Sequence, residues 1–534
     1  MKKIKHIVKI IWNHLLLYYC NLFRSASNKL FSEINRNITS KRNGIILYEG
    51  LWDHPYHWLR LSLFRKALAP KYGSGLLGVY HQSSSKHIIN SLRSFHPDAE
   101  EIIPSSIDEK YYAIAEQKLS KVKSPSDIMT LDIAPGYPTH YFYDGVLKME
   151  LIGQIDVNQT PLREHLALTL FYIDFYQKLF KKYDIKATVI SHPTTIRFST
   201  LVWASISSKV PTFVLNQRNS HIQIRKLQDL KEIGNVPDDV PFLSDLHALN
   251  NKQRANMVQA GKFFLKNLRK GISGEISVTK AYRSSDQVKK VNAETLANLV
   301  GGDPQKKNVV VLTSCWPDFP NYTGKSFFDD HVEWLDITLN EAKHNTQYNW
   351  IFKPHPAEYM YGKFGLVELM KKRDTDGMYI WPKELASNEL INCADCVVTA
   401  LGSVGFEYPA MGARSLVSRE TPYTEWGFSN FASSKDEYTL KLKSACELPL
   451  PSARNQEDAY IFLMFRMSAP DNCQNNGYKY PWPSLSFKLW PQLPKFYKNN
   501  RLNIDRESNL MQAWLDSDLK SYNVFKWLNS NLWK

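Results

Sequence analysis

The sequence predicts an α/β protein built from two Rossmann-like, doubly wound domains facing a cleft, with a basic N-terminal helix and a partly helical C-terminal tail. Three observations lead there. The chain has 534 residues, too many for one ordinary core. From residue 43 short apolar runs alternate with helical patterns, as α/β layers require. From residue 308 that alternation becomes a run of β-α units joined by connections of a few residues, which right-handed crossovers wind into a parallel sheet.

In order, residues 44–48 (GIILY) read as a strand, 57–68 as an amphipathic helix and 75–80 (GLLGVY) as a second strand. A long helix is expected over 162–183, a strand over 187–191, a helix to about Ser208 and a strand over 212–216. Residues 234–306 are polar and charged and serve as the connection. The second half reads as strands at 308–313, 348–352, 378–381, 396–400 and 415–418. Helices are expected over 329–342, from Ala357 to about Lys372, and over 383–393. No further strand is expected in the last 80 or so residues. The expected domains are 1–42, a basic membrane-associating segment; 43–300 and 301–450, the two Rossmann-like domains; and 451–534, a tail packing back on them.

Hydrophobic content of 43% and charged content of 22% are those of a globular chain. The net charge of +15 is uneven: residues 1–42 hold nine Lys/Arg against the single acid Glu33. With no zinc-finger spacing, RNA-binding motif or second basic block, nucleic acid is not an expected partner. Lys9, Asn13 and His14 interrupt the terminal apolar run, and no small-residue cleavage site follows Phe23. These features argue against a signal peptide and a spanning helix. They fit an amphipathic segment, residues 1–36, lying on an anionic membrane surface. Of six cysteines only Cys393 and Cys396 make a C-x-x-C, which lacks the partner pair of a zinc site. All six are expected as reduced thiols.

Two patterns are set aside. Gly73-Ser74-Gly75-Leu76-Leu77-Gly78 has a helix before it and a strand after it, the reverse of a dinucleotide fingerprint. Asp374-Thr375-Asp376 runs into Gly377 and reads as a turn rather than a metal pair.

The chemistry-bearing stretch is Lys353-Pro354-His355-Pro356, just past the carboxyl end of a central strand, where α/β sheets bind ligands. Each proline holds its predecessor extended, so Lys353 and His355 are fixed in place and suited to a phosphate. Two strands on, Gly402, Ser403 and Val404 open a helix whose N–H groups favour an anion, with Ser403 expected as its cap. Glu407, one turn later, is expected to face the crevice and grip hydroxyls. Pro422-Tyr423 and Trp426-Gly427 are expected to wall the pocket.

The combination of KPHP, GSVGFEYPAMGARSLV and PYTEWGF resembles the bacterial capsule polysaccharide biosynthesis family. That family includes Kdo transferases and is similar in its His-Pro motif to polysialyltransferases. The resemblance covers mainly residues 308–430. It implies a GT-B glycosyltransferase that takes a sugar from a nucleotide-sugar donor to a growing polysaccharide or glycolipid acceptor. With the basic N-terminal segment, the expected location is cytoplasmic, peripheral on the inner face of the cytoplasmic membrane. By the same implication Lys353, His355, Pro356, Gly402, Ser403, Val404 and Glu407 meet the donor. The sequence departs from the family in having Gly402-Ser403 where a Ser or Thr pair is frequent, and the acidic motif that supplies the base in polysialyltransferases is not matched. Neither a cofactor nor a metal is expected. The acceptor's proton needs a base: Asp53 first, Glu49 second and Asp318 third, the first two in the loop after the first strand with His57 beside them. His192-Pro193, after another strand, is the acceptor-side echo of the His355 device, and His192 and His57 are expected to bind the acceptor. Alternatives within the fold are a sugar-nucleotide 2-epimerase or a polyol-phosphate transferase. Outside enzymes, the alternative is a non-catalytic assembly protein.

Overall fold

The computed structural model describes residues 25–36, 38, 43–50, 55–80, 86–95, 98–216, 223–232, 243–247, 249–271, 281–282, 291–322, 326–361, 365–421, 423–467, 493–517 and 519–523. The N-terminal sheet contains β1 (Ile45–Glu49), β2 (Gly75–Val79), β3 (Glu100–Ile102), β4 (Ile185–Ile190), β5 (Thr212–Asn216) and β6 (Gln223–Leu227). The C-terminal sheet contains β7 (Lys307–Leu312), β8 (Tyr348–Lys353), β9 (Met378–Ile380), β10 (Cys396–Thr399), β11 (Arg414–Val417) and β12 (Asn430–Phe431). A last strand, β13 (Ser521–Asn523), returns to the first sheet.

The strand orders are β3-β2-β1-β4-β5-β6-β13 and β9-β8-β7-β10-β11-β12. Within the second sheet every neighbouring pair is parallel. In the first sheet β3 to β5 are parallel, and β6 and β13 add antiparallel edges. Each half therefore winds outward in both directions from its first strand, so the order reverses between β1 and β4 and again between β7 and β10. Crevices at the carboxyl ends of strands beside such reversals are where open α/β sheets bind ligands.

Alternation of side chains puts both faces of β1 to work. Ile46 and Tyr48 join one core with Trp58 and Phe64 of helix Pro55–Tyr72, while Leu47 joins a second with helices Thr139–Glu150, Leu162–Lys182 and Ile196–Ser207. Gly73 has φ +106°, and a Cβ there would lie 2.4 Å from the Gly44 carbonyl oxygen. This glycine serves the entry into β2, and the G-x-G-x-x-G pattern runs from the end of a helix into that strand.

Several elements differ from expectation. Residues 357–372 are not one helix: a 3-10 turn, Glu358–Tyr361, precedes helix Leu366–Lys371. Only Leu390–Cys393 of the expected 383–393 helix forms. Side-chain donors capture the carbonyls such a helix would use: the nearby Trp381 Nε1 bonds Leu385 O (3.0 Å), and from farther along the chain Tyr408 OH bonds Ser387 O (3.2 Å) and Arg269 bonds Asn388 O (2.9 Å). Helix Asn251–Leu268, within the expected connection, is packed against helix Ala453–Met467. Gly261 lets the two touch, since a Cβ there would meet Tyr460 O at 2.2 Å.

The helical residues 25–35 are held on the body. Phe31 is fully buried against helix Pro55–Tyr72, and Asn35 accepts a hydrogen bond from the buried Arg65 (3.0 Å). This corrects the expected membrane-facing span of residues 1–36 at its C-terminal end; residues 1–24 lie outside the described residues. No described helix is long and apolar enough to cross a membrane.

Candidate active site in the interdomain cleft

Lys353 ends β8 with 9% exposure, its Nζ 5.5 Å from the centroid of the Trp381 ring. Burial pushes its ammonium down to about 8, opposed by Glu389. Two residues on, His355 Nδ1 accepts the Ala357 N–H at 3.1 Å and lies 2.9 Å from Cys315 Sγ, on the loop leaving β7. Burial pushes the imidazole down to about 4, with Lys353 adding to the fall and Asp318 opposing it. His331 opens the next helix, fully enclosed, and burial takes it down to about 3. Arg419 follows β11, 5% exposed, its guanidinium lowered to about 10 by burial and opposed by Asp144. The carboxyl edge of the C-terminal sheet is thus ringed by two buried cations and two neutral imidazoles. Such an environment favours an incoming anion.

Gly402, Ser403 and Val404 do follow β10, but the expected cap is not made. Ser403 is itself helical (φ −57°, ψ −20°), exposed, and without a side-chain cap hydrogen bond. Gly402 N–H turns back to Thr399 Oγ1 (3.3 Å), and Gly402 O accepts from Tyr423 OH (2.9 Å). Glu407 differs too: it is 4% exposed and accepts a hydrogen bond from Tyr282 OH (2.5 Å). Tyr423 and Trp426, expected as pocket walls, are core residues packed with Phe428 and Phe462. Pro422 lies outside the described residues.

Across the cleft, Glu49 ends β1 at 3% exposure. Its Oε1 accepts the Ser191 N–H (3.0 Å) and the Ser191 hydroxyl, and His57 Nε2 lies 3.9 Å away. His57 is buried as well. Asp53, the first expected base, lies outside the described residues. His192 follows β4, with Nδ1 accepting the Thr194 N–H at 3.3 Å and lying 2.5 Å from Thr194 Oγ1. Its ring faces the other domain, 5.5 Å from Phe319 and 6.4 Å from Tyr322 between centroids.

The two halves are joined here by residues the sequence did not mark. Asn321 donates to Asp144 from its backbone N–H (2.8 Å) and its side-chain amide (3.0 Å). Asp330 caps helix His331–His344 through Val332 and Glu333 N–H (2.9 Å each), while its other oxygen accepts from Tyr143 OH (2.6 Å). Lys148 pairs with Asp318 at 2.9 Å and lies 5.2 Å from the Phe319 ring centroid. Burial raises Asp144 to about 7 and Asp330 to about 6. Cys315 and Arg419 carried one usable signal, a polar side chain just past a predicted strand. The pairings of Asp144 carried none.

No protein-family model matches the chain, and no curated protein does. Solved structures do. One is KpsC, a beta Kdo 2,4 transferase of Thermosulfurimonas dismutans, at 11% identity over 52% of this chain and 79% of that one, with TM-score 0.33. A UDP-GlcNAc 2-epimerase of Methanocaldococcus jannaschii matches at 11% identity over 85% and 100%, TM-score 0.23. The wall teichoic acid polymerase TagF matches at 11% over 94% and 98%, TM-score 0.23. At these values the likenesses carry no argument about activity, and the Rossmann-like architecture rests on the strand orders themselves. Among the described residues no group of three or more His, Cys, Asp or Glu is arranged to hold a metal ion.

Proposed function

We propose that the chain is a GT-B glycosyltransferase, moving a sugar from a nucleotide-sugar donor to a surface polysaccharide or glycolipid acceptor. The observation that carries this is the ring of Lys353, His355, His331 and Arg419 at the carboxyl edge of the C-terminal sheet, facing His192 of the other domain. In the reaction the acceptor oxygen attacks the anomeric carbon and the bond from that carbon to the phosphate oxygen breaks. Lys353 and His355 stabilise the phosphate charge that develops, in the role a divalent metal plays in other transferases. Gly402, Ser403 and Val404 border the nucleotide, and His192 and the Phe319 and Tyr322 rings meet the acceptor.

The acceptor proton goes to a carboxylate. Glu49 is committed to Ser191 at 3% exposure, which disfavours it. Asp318 is the better placed: its side chain is 37% exposed, beside Lys148, and its charge acts on both His355 and His331. Residues 1–24 are the segment proposed to hold the protein at an anionic membrane surface.

The test is thermal stabilisation of wild type and His355→Ala by CMP, CDP, UDP and GDP without added metal. Stabilisation by one nucleotide, lost in the variant, is expected. A wild type indifferent to all four overturns the donor site.

A further inference from the structure

His192 and His355 leave the carboxyl ends of β4 and β8 in the same local turn. In each a proline follows the histidine, and the amide of the residue after that proline donates to the histidine's own Nδ1: Thr194 at 3.3 Å, Ala357 at 3.1 Å. The proline makes this turn. It holds the histidine extended and fixes its own φ near −65°, which brings the next N–H back over the ring, as in an Asx turn.

A backbone N–H can only donate, so the Nδ1 it reaches must present a lone pair. In a neutral imidazole the proton is then on Nε2. A second hydrogen-bonding group stands at each Nδ1, Cys315 Sγ at 2.9 Å and Thr194 Oγ1 at 2.5 Å. Both can donate. The Cys315 thiol stays protonated, since burial pushes it up to about 12.

We propose that His192 and His355 are a matched pair of hydrogen-bond donors, locked as Nε2–H tautomers by their His-Pro turns. His355 donates to the donor's phosphate and His192 to an acceptor oxygen; neither is the general base. A histidine base must present a lone pair at Nε2, with its Nδ1–H turned to an acceptor. Here a backbone N–H, which can only donate, stands at each Nδ1. The named targets rest on the glycosyltransferase function proposed above, whereas the tautomers do not.

The two parts are therefore tested separately. Nitrogen NMR on the full chain labelled with 15N-histidine, without nucleotide and with signals assigned by His192→Asn and His355→Asn, reads the tautomers directly. Nε2–H in both rings between pH 6 and 8 is expected; Nδ1–H in either overturns the proposal. The roles are read with His355→Gln, whose amide N–H reaches the Nε2 position, against His355→Asn, whose amide stops at the Nδ1 position. The nucleotide that stabilises wild type should bind the Gln variant within about tenfold and the Asn variant about a hundredfold more weakly. At residue 192 the same ordering should appear in the acceptor KM. Gln variants that keep the wild-type unfolding midpoint yet are as impaired as the Asn variants overturn the donor roles.

Discussion

His192 and His355 occupy equivalent turns in the two domains, yet their surroundings have opposite character. His355 sits with a cation and a thiol, next to Lys353 and Cys315, and burial has stripped its charge. His192 sits with a hydroxyl and aromatic rings, Thr194, Phe198, Phe319 and Tyr322. On the proposed roles, one turn geometry would serve two ligand chemistries. Neutral donors beside cations suit a phosphate, while neutral donors beside aromatic faces suit a sugar.

The sharpest way to break this comparison is to remove the phosphate side. Lys353→Ala and His355→Ala should each lower transfer by about 10²–10³-fold in kcat, the range for losing a donor to developing charge. His192→Ala should instead cost about tenfold, through the acceptor KM. Equal kcat losses from both histidines would erase the distinction. A smaller effect is expected at Phe319, which holds φ +51°, an uncommon backbone region for a bulky residue. Phe319→Ala should raise acceptor KM several-fold while leaving nucleotide binding unchanged, in keeping with about 0.5–1.5 kcal/mol for an aromatic contact.

The join between the domains is open to a pH test. Burial raises Asp144 to about 7 from 3.8. Its contribution to stability is complete below the unfolded value and is lost as pH rises through about 7. Asp144→Asn has a constant offset, one hydrogen bond from Asn321, but no such loss. Relative to wild type the variant should therefore gain stability by a few kcal/mol between pH 4 and 7.5 in denaturant titrations. A flat difference would mean that the carboxylate is ionised throughout. The smallest structural effect belongs to the terminus. Removing residues 1–24 should leave the unfolding midpoint unchanged and shift the protein from membrane to soluble fractions. Removing 1–36 should also destabilise it, because Phe31 and Asn35 go too.

The central parallel strands were legible because strands covered on both faces are continuous apolar runs; 212–216 agrees in both bounds, and 308–313 is displaced by one residue, whereas the short parallel edge strands β3 and β12 were missed. The two histidines were legible because proline marks them. β6 and β13 were not, since QIRKL and SYN have little apolar signal and form only by edge pairing. The 383–393 helix failed because side-chain donors, two of them distant in sequence, outbid its own ladder. Asp144 was illegible for a related reason: its partner Asn321 is 177 residues away, and nothing local distinguishes it from a solvated helix acid. Glu407 misled for the opposite reason, a helical acid that looks exposed in sequence and is buried against Tyr282 in space.

Helix Leu493–Leu515 and β13 complete the first sheet from the far end of the chain. Trp514 packs 6.1 Å from Phe213, Lys71 donates to Leu515 O at 2.5 Å, and Lys520 O accepts the Lys226 N–H at 2.8 Å. The N-terminal domain is thus discontinuous along the chain. During synthesis, when domains generally fold in order from the N-terminus, this one emerges before the C-terminal sheet and lacks its last helix and edge strand until Asn523 has left the ribosome. At about 5–20 residues per second, that wait lasts roughly 15–60 seconds after β6 has been made. The C-terminal sheet, contiguous from β7 to β12, can close before it. Removing Leu493–Asn523 would therefore unroof a domain whose other strands were made about 300 or more residues earlier.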